Sequence, residues 1–470
     1  MTPSLSSIAK LLPGLGTRHA PGTRLAPSPP FTTPLLGHLA MGSDDRVDYL
    51  MQSSLSHGDV VRFELPMMTA HLLSHPDHVQ RVLIDDVRTF TKKTRGYENL
   101  RLFLGNGLVT SEGEFWRRQR RIAQPAFHKK RIAGFADLMV RATDDLSREW
   151  ESHAASGKAI DVAAEMSRLT LRIAGETLLS TDPSDRAAVI ASSLIDVQHE
   201  ANRRMGSLWS PPLHWPTPRN KRYLAAATEL DRVVLEILAE RRRGARKDDL
   251  LQMFLEAKDE ETGARMDDKQ LRDEVMTMFL AGHETTSNAL AWTFYLLSRF
   301  PSVARALHHE ARTVLGDRGA TADDLPRLDL ARRVLQEAMR LYPPVWIMGR
   351  TPSEDVEVDG YPIARGSLVF LSQWVTHRHP RWWSDPEGFD PDRWLPERSA
   401  HHHRHQYFPF AAGPRMCIGS GFAMMEGQLV LATIARRWRI DLVPGHRVEP
   451  EPLITLRPKH GVRATVHRAG

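Results

Sequence analysis

The one cysteine of the 470-residue chain, Cys417, stands in the segment Phe410-Ala411-Ala412-Gly413-Pro414-Arg415-Met416-Cys417-Ile418-Gly419. A helical pattern, FAMMEGQLVLATIARRW, begins just beyond it at Phe422. A thiol ahead of a helix N-terminus meets unpaired backbone N–H groups and the positive end of the helix dipole, and Arg415 adds a positive field, so a thiolate is expected there. A thiolate attacks electrophiles or binds a metal. Gly413 and Gly419 allow the backbone to turn tightly and to approach a flat ligand where a Cβ would collide.

A second constellation, Ala281-Gly282-His283-Glu284-Thr285-Thr286, interrupts a long apolar helical pattern running from about Asp267 to Arg299. Glycine and adjacent threonines weaken a helix, and a threonine hydroxyl bonds a carbonyl three or four residues back, so a local kink with room for oxygen and water is expected. His283 reads as a satisfied helix side chain, and Asp267-Asp268 as the cap and first-turn charge of this helix. A third, Glu337-Ala338-Met339-Arg340, puts opposite charges on one helical face. The same spacing recurs at Glu229–Arg232 and Glu240–Arg243, which read as exposed pairs of little value to stability. In a fourth, Trp116-Arg117-Arg118-Gln119-Arg120, Trp116 and Arg120 share a helix face. The run His401-His402-His403-Arg404-His405 lacks the spacing that aims imidazoles at one ion, so only adventitious metal binding is expected.

The spacing Phe410, Gly413, Arg415, Cys417, Gly419 resembles the haem-binding loop of the cytochrome P450 family. The Ala281–Thr286 motif is similar to what that family places over the distal face of the haem. Glu337–Arg340, followed by Leu341-Tyr342-Pro343-Pro344 and by Phe389-Asp390-Pro391-Asp392-Arg393-Trp394, resembles its buried Glu–Arg–Arg network. The resemblance runs from Pro34-Leu35-Leu36-Gly37 to the final strands and implies a mainly α, α+β fold with small β-sheets, in which one large domain places a long central helix over haem. It implies haem b as cofactor, with Cys417 as the axial iron ligand, and O2 as co-substrate. Trp116, Arg120, Ala281, Arg350, Phe410, Arg415 and Gly419 are the implied further cofactor contacts, the arginines pairing with its carboxylates. Glu284 and Thr285 are the implied catalytic pair, Thr285 bonding at bound dioxygen and Glu284 relaying protons. Glu337, Arg340 and Arg393 are implied to hold shape.

The elements that must position these residues are legible only coarsely. Hydrophobic residues make up 41% and charged residues 26%, an ordinary globular mix that excludes a disordered or collagen-like chain. One cysteine excludes a disulfide framework, a multi-cysteine zinc module and an iron–sulfur cluster. The net charge of +6 lacks the concentrated basic stripe of a nucleic-acid binder, so no nucleic-acid partner is expected. Residues 1–20 show no continuous apolar core of a secretory signal. The stretch Val275 to Leu297 is too interrupted to span a membrane, which takes about 20 apolar residues. A cytoplasmic protein follows.

Five prolines between Pro21 and Pro34 mark residues 1–39 as an extended N-terminal arm, and residues 40–470 read as one domain. From about Val47 to Arg340 helical periodicity dominates, as in LDRVVLEILAERRR at 230–243. The proline- and tryptophan-rich segment 209–216 reads equally as a hydrophobic lid or as a loop packed on its neighbours. Alternation around Gly360 and Gly366 in 356–375 predicts a small sheet, and RPKHGVRATV near the C-terminus another strand.

The reaction implied by the resemblance is insertion of one oxygen atom of O2 into a hydrophobic substrate, by C–H hydroxylation or epoxidation. Ala281, Val345, Trp346, Ile347 and Leu453 to Thr455 are the implied substrate neighbours, and their apolar character fits a fatty acid, terpene, carotenoid or polyketide, leaning to a fatty acid or an extended isoprenoid. Electrons are expected from a separate ferredoxin- or flavodoxin-type partner with an NAD(P)H reductase. Arg117, Arg118 and Arg121 are candidates for docking it. A haem-binding sensor would leave Glu284 and Thr285 without purpose. A cysteine hydrolase would need a histidine base that no motif ties to Cys417.

Overall fold

The computed structural model describes residues 24–30, 45–65, 68–182, 187–206, 210–244, 246–247, 249–258, 263 and 265–469. Its longer helices are α1 (Arg46–His57), α2 (Arg95–Leu104), α3 (Gly113–Ala123), α4 (Ala136–Ser156), α5 (Val162–Leu179), α6 (Ala187–Gly206), α7 (Pro218–Arg243), α8 (Asp268–Arg299), α9 (Pro301–Leu315), α10 (Asp329–Leu341) and α11 (Ser420–Ala435). The sequence explains the limits of α8. The Asp267 side chain accepts the Gln270 N–H at 2.7 Å, and Pro301 disfavours helix at the residue before it. Because α8 packs on α5, α7, α10 and α11, it is buried on several sides, and its apolar residues are not confined to one stripe. The helix continues unbroken through 281–286, where the Thr285 hydroxyl donates to the Ala281 carbonyl at 2.7 Å, the back-bond expected of a threonine there. The hydroxyl adds to the helical hydrogen bonds without displacing them.

One five-stranded sheet runs in the order β1 (Val60–Leu65), β2 (Met68–Leu73), β8 (Leu368–Leu371), β5 (Met348–Pro352) and β3 (Phe90–Thr91), with β2 and β8 parallel. The β1–β2 hairpin breaks the helical reading of 47–340. Most of β2 and half of β1 are buried, so the polar–apolar alternation that signals a half-exposed strand is missing. The sheet predicted in 356–375 is present. The strands β6 (Val356–Val358) and β7 (Tyr361–Ile363) turn through Asp359 and Gly360, at φ 51° and 77°, the left-handed pair that a two-residue hairpin requires. β8 follows, and the predicted C-terminal strand is β12 (Arg463–Arg468), paired with β9 (Trp438–Leu442) and β4 (Ile160–Asp161).

The described parts of the N-terminal arm and of the 209–216 segment lie on the body. Residues 24–30, the described piece of the proline-rich arm, have no regular structure but lie against the body: Ala26 is buried, and the Arg62 N–H donates to the Pro27 carbonyl at 2.8 Å. The rest of the arm lies outside the described residues. Trp209 also lies outside them, and 210–216 is a packed outer loop, not a lid. Asn220 donates to the Pro212 and Trp215 carbonyls at 2.8 and 2.9 Å, Arg204 donates to that of Pro211 at 3.0 Å, and none of these loop residues reaches the central cavity. Among the described residues no helix is long and apolar enough to cross a membrane.

Candidate active site

A cavity of about 730 Å³ is walled by α2, α3, α6, α8, α10, β5 and the Cys417 loop. It brings together every site residue expected from the sequence: Trp116, Arg120, Ala281, Glu284, Thr285, Arg350, Phe410, Arg415, Cys417 and Gly419 all line it. Val345, Trp346, Ile347, Leu453, Ile454 and Thr455 do as well. Trp346 is anchored there by its indole N–H, which donates to the Leu453 carbonyl at 2.9 Å.

Cys417 sits three residues before α11, and its N–H donates to the Phe410 carbonyl at 2.9 Å, which ties the two ends of the loop. Its sulfur opens onto the cavity, so it counts as exposed, but the surrounding protein keeps it far from bulk solvent. That burial pushes the thiol above its usual range, against the Gly419 N–H and the Arg120 charge, which favour the thiolate. Burial and the helix N-terminus thus act in opposite directions on the thiol, and a bound metal would favour its thiolate. The two glycines differ in what holds them. Gly413 has φ 68°, and a Cβ there would collide with the Leu83 carbonyl, so its closeness serves backbone packing. Gly419 has an ordinary φ of −88° and would meet only Phe127 and the Cys417 sulfur, at 3.8 and 4.0 Å.

The residues present fit a dianionic planar cofactor. Lys92, Arg120, Arg350 and Arg415 converge on one side of the cavity, where Glu112 is the carboxylate that opposes them. Arg415 bonds Glu112 at 2.7 Å and the Ser111 carbonyl at 2.9 Å, and lies 3.7 Å over the Trp116 ring. Burial, with Arg350 and Arg120, pushes Arg415 down to about 10. Burial, with Arg350 and Arg415, holds Lys92 well below its usual range. Arg120 donates to the Met416 carbonyl at 2.8 Å, and Arg350 to the Tyr97 hydroxyl at 3.4 Å. Such crowding of cations is relieved by two carboxylates. Lys92, fully within the protein and bonded only to the Val109 carbonyl at 2.9 Å, carried no motif that sequence reasoning could use.

On α8, Glu284 is bonded at one oxygen by the Thr455 hydroxyl and at the other by the Gln198 amide. Burial pushes its carboxyl up, opposed by these two donors and by the charge of Arg457. Gln198, from α6, was not legible in the sequence, since no motif surrounds it. His283 turns away from the cavity and is only half satisfied, against the expectation: its Nε2 is 3.0 Å from the Ser167 hydroxyl, its Nδ1 is buried without a protein partner, and burial lowers it to about 4.

Glu337 and Arg340 form the buried pair at 2.8 Å, and Arg393 joins at 3.1 Å. Of the other Glu-x-x-Arg spacings, Glu229–Arg232 is an exposed pair, whereas Arg243 turns instead to the Ala239 carbonyl. In the histidine run, His402 packs against Trp383 and Trp394, and His403 bonds Asp77 at 2.9 Å.

The cytochrome P450 family model matches residues 27–462. The chain is 38% identical over 88% of its length, and 90% of the relative's, to cyclooctat-9-en-7-ol 5-monooxygenase of Streptomyces melanosporofaciens. It is 35% identical to pentalenene oxygenase of Streptomyces avermitilis, covering 92% of this chain and 95% of that one. The crystal structure of the cytochrome P450DA heme domain is similar to 95% of the chain with a TM-score of 0.87 and 31% identity, and the match covers 98% of that domain.

Proposed function

This chain belongs to the cytochrome P450 family of haem-thiolate monooxygenases, and from that premise we propose that it oxygenates an apolar terpene-like hydrocarbon in the cytoplasm. The observation that carries the reading is one apolar cavity in which Cys417, Thr285 and the wall of Ala281, Val345, Ile347 and Ile454 meet. Two bacterial relatives, named for an unsaturated hydrocarbon and an unsaturated alcohol, support a cyclic isoprenoid over a fatty acid. Haem, when bound, supplies dioxygen activation through its thiolate-ligated iron.

The chain's own residues do the rest. The Cys417 sulfur is the ligand, held by the Phe410–Cys417 bond and by α11 behind it. Lys92, Arg120, Arg350 and Arg415 neutralise the cofactor carboxylates, and Trp116 supports Arg415 from beneath. The apolar wall excludes water and orients the substrate. The Thr285 hydroxyl holds a hydrogen bond at the oxygen-binding face, and Glu284 stores a proton that its raised carboxyl retains beyond the ordinary range. Electrons come from a separate acidic carrier of the ferredoxin or flavodoxin type, itself reduced through NAD(P)H. It docks on the exposed Arg117 and Arg121 of α3, the helix whose Arg120 bonds the Met416 carbonyl of the cysteine loop, whereas Arg118 is half-buried.

The test is the absorption spectrum of the reduced protein under carbon monoxide, beside Cys417→Ser. A strongly red-shifted Soret band in the parent, lost in the variant, is the expected result. Substrate class is then read from spin-state shifts with cyclic terpene hydrocarbons and with long-chain fatty acids. A response to the acids alone overturns the terpene reading.

A further inference from the structure

A largely polar face of α8 runs from its N-terminal turn to the cavity wall and past it. Gln270, Glu274, Thr277, Ala281, Thr285 and Asn288 recur every three or four residues, so they lie along one face of the helix. The three nearest the N-terminus share a peculiarity. Gln270 Nε2, Glu274 Oε1 and Thr277 Oγ1 are sealed from the surface and meet no partner on the protein. Buried polar atoms in native proteins are rarely left so, and ordered water is what ordinarily serves them. Three in succession, one turn apart, outline a path from the solvent end of α8 to Thr277, which lines the cavity.

The loop opposite packs closely on this face of α8. The Leu108 N–H holds the other oxygen of Glu274 at 3.0 Å, and the Asn106 N–H holds Asp273 at 2.8 Å. Between them Gly107 comes so close that a Cβ would collide with the Thr277 hydroxyl. A side chain at 107 would displace that hydroxyl or push the loop away from α8.

We propose that Glu274 is a relay carboxyl that carries protons from solvent along this face of α8 to the cavity. The step is balanced within the established chemistry: each turnover takes up two electrons and two protons with O2, leaving one oxygen atom in product and one in water. Glu274 gives its proton to water on the Thr277 side and regains one from water on the Gln270 side. Burial pushes its carboxyl up to about 8, where it can both give and take a proton near neutral pH. The charged groups around it are elsewhere engaged. Asp273 pairs with Lys269 and Arg272 at 2.8 and 2.9 Å, and Arg272 also pairs with Asp231 of α7. Glu284 differs in having a donor on each oxygen, from Gln198 and Thr455. From Glu274 to Thr285 is eleven residues, about 16 Å of helix, a span that water in the cavity completes.

The proposal rests on the monooxygenase reading, and its test separates the two. In the holoenzyme, with the carbon monoxide spectrum as a check that haem is bound, infrared titration should show a protonated carboxyl that ionises near pH 8. That band should vanish in Glu274→Gln. With the hydrocarbon giving the largest spin-state shift, Glu274→Gln should lower product per electron pair roughly three- to tenfold, less than loss of a direct acid. It should also shift the alkaline limb of that ratio to the position set by Glu284 alone, while leaving substrate affinity unchanged. Glu274→Asp should recover part of the loss. Gly107→Ala should uncouple turnover while keeping the carboxyl band. Parental coupling and pH profile in Glu274→Gln, or no carboxyl ionising above the ordinary range, would overturn the relay even with the haem spectrum intact.

Discussion

Glu337 and Glu274 are both buried carboxyls on helices that wall the cavity, and they differ in how fully they are satisfied. Glu337 accepts from Arg340 at 2.8 and 2.9 Å, from the Asp390 N–H and Arg393 at 3.1 Å, and from the Trp394 indole at 3.0 Å. Arg340 in turn donates to the His377, Pro386 and Gly388 carbonyls. Glu274 has the single Leu108 N–H and a bare second oxygen. A network with every donor and acceptor used is rigid and holds the segment leading to Cys417 in one shape. A carboxyl with an unused oxygen exchanges protons. The difference separates buried charge that builds the site from buried charge that serves its reaction.

The largest effect is expected where the satisfied network is cut. Arg340→Leu leaves Glu337 charged and short of two donors and strands three carbonyls. Removing one partner of a buried pair typically costs about 3–5 kcal/mol. Chemical denaturation of the holoenzyme should show a loss of that order, with a matching fall in thiolate-ligated haem. A loss under about 1 kcal/mol would sink the comparison from its structural side.

Thr285→Ala should leave stability near the parent's, because its hydroxyl bonds only the Ala281 carbonyl in a helix that is already complete. Coupling should suffer instead: product per NAD(P)H should fall by about tenfold or more, with peroxide or water taking the difference. Unchanged coupling would remove Thr285 from the mechanism. The pH dependence sharpens the point. Burial raises the Glu284 carboxyl, so it stays protonated through the ordinary carboxylate range and loses its proton only as pH rises beyond it. Gln198 donates to this carboxyl and so favours its charged form. In Gln198→Leu the alkaline fall of coupled turnover should move to higher pH; a move to lower pH would contradict the assigned hydrogen bond.

This contrast also marks what a sequence carries. Motifs with fixed spacing, around Cys417, Glu284–Thr285 and Glu337–Arg340, were legible because each is local, and the fold needed only helical periodicity and a few glycine turns. Lys92, Gln198 and Glu274 were not. Each gains its meaning from partners far away in the chain: Lys92 from Arg350 and Arg415, Gln198 from Glu284, and Glu274 from the Leu108 N–H. The β1–β2 hairpin stayed hidden because burial erased its alternation. The burial that raises the Cys417 thiol was equally hidden, because local sequence shows a helix N-terminus but not the protein around it.

The smallest effect tests whether spacing or environment decides. Glu229 and Arg232 repeat the separation of Glu337 and Arg340 and also form a pair, but their side chains are 28% and 48% exposed. Arg232 also reaches Glu236 at 2.6 Å, so either glutamate can keep water as company when the other is lost. Water and salt screen such pairs, and ordering two long side chains offsets most of the attraction. Arg232→Ala should therefore leave the denaturation midpoint and the carbon monoxide spectrum indistinguishable from the parent's, at low salt and at high. A loss near that of Arg340→Leu would mean that the Glu-x-x-Arg spacing itself stabilises a helix. The contrast between Glu337 and Glu274 would then say nothing about burial.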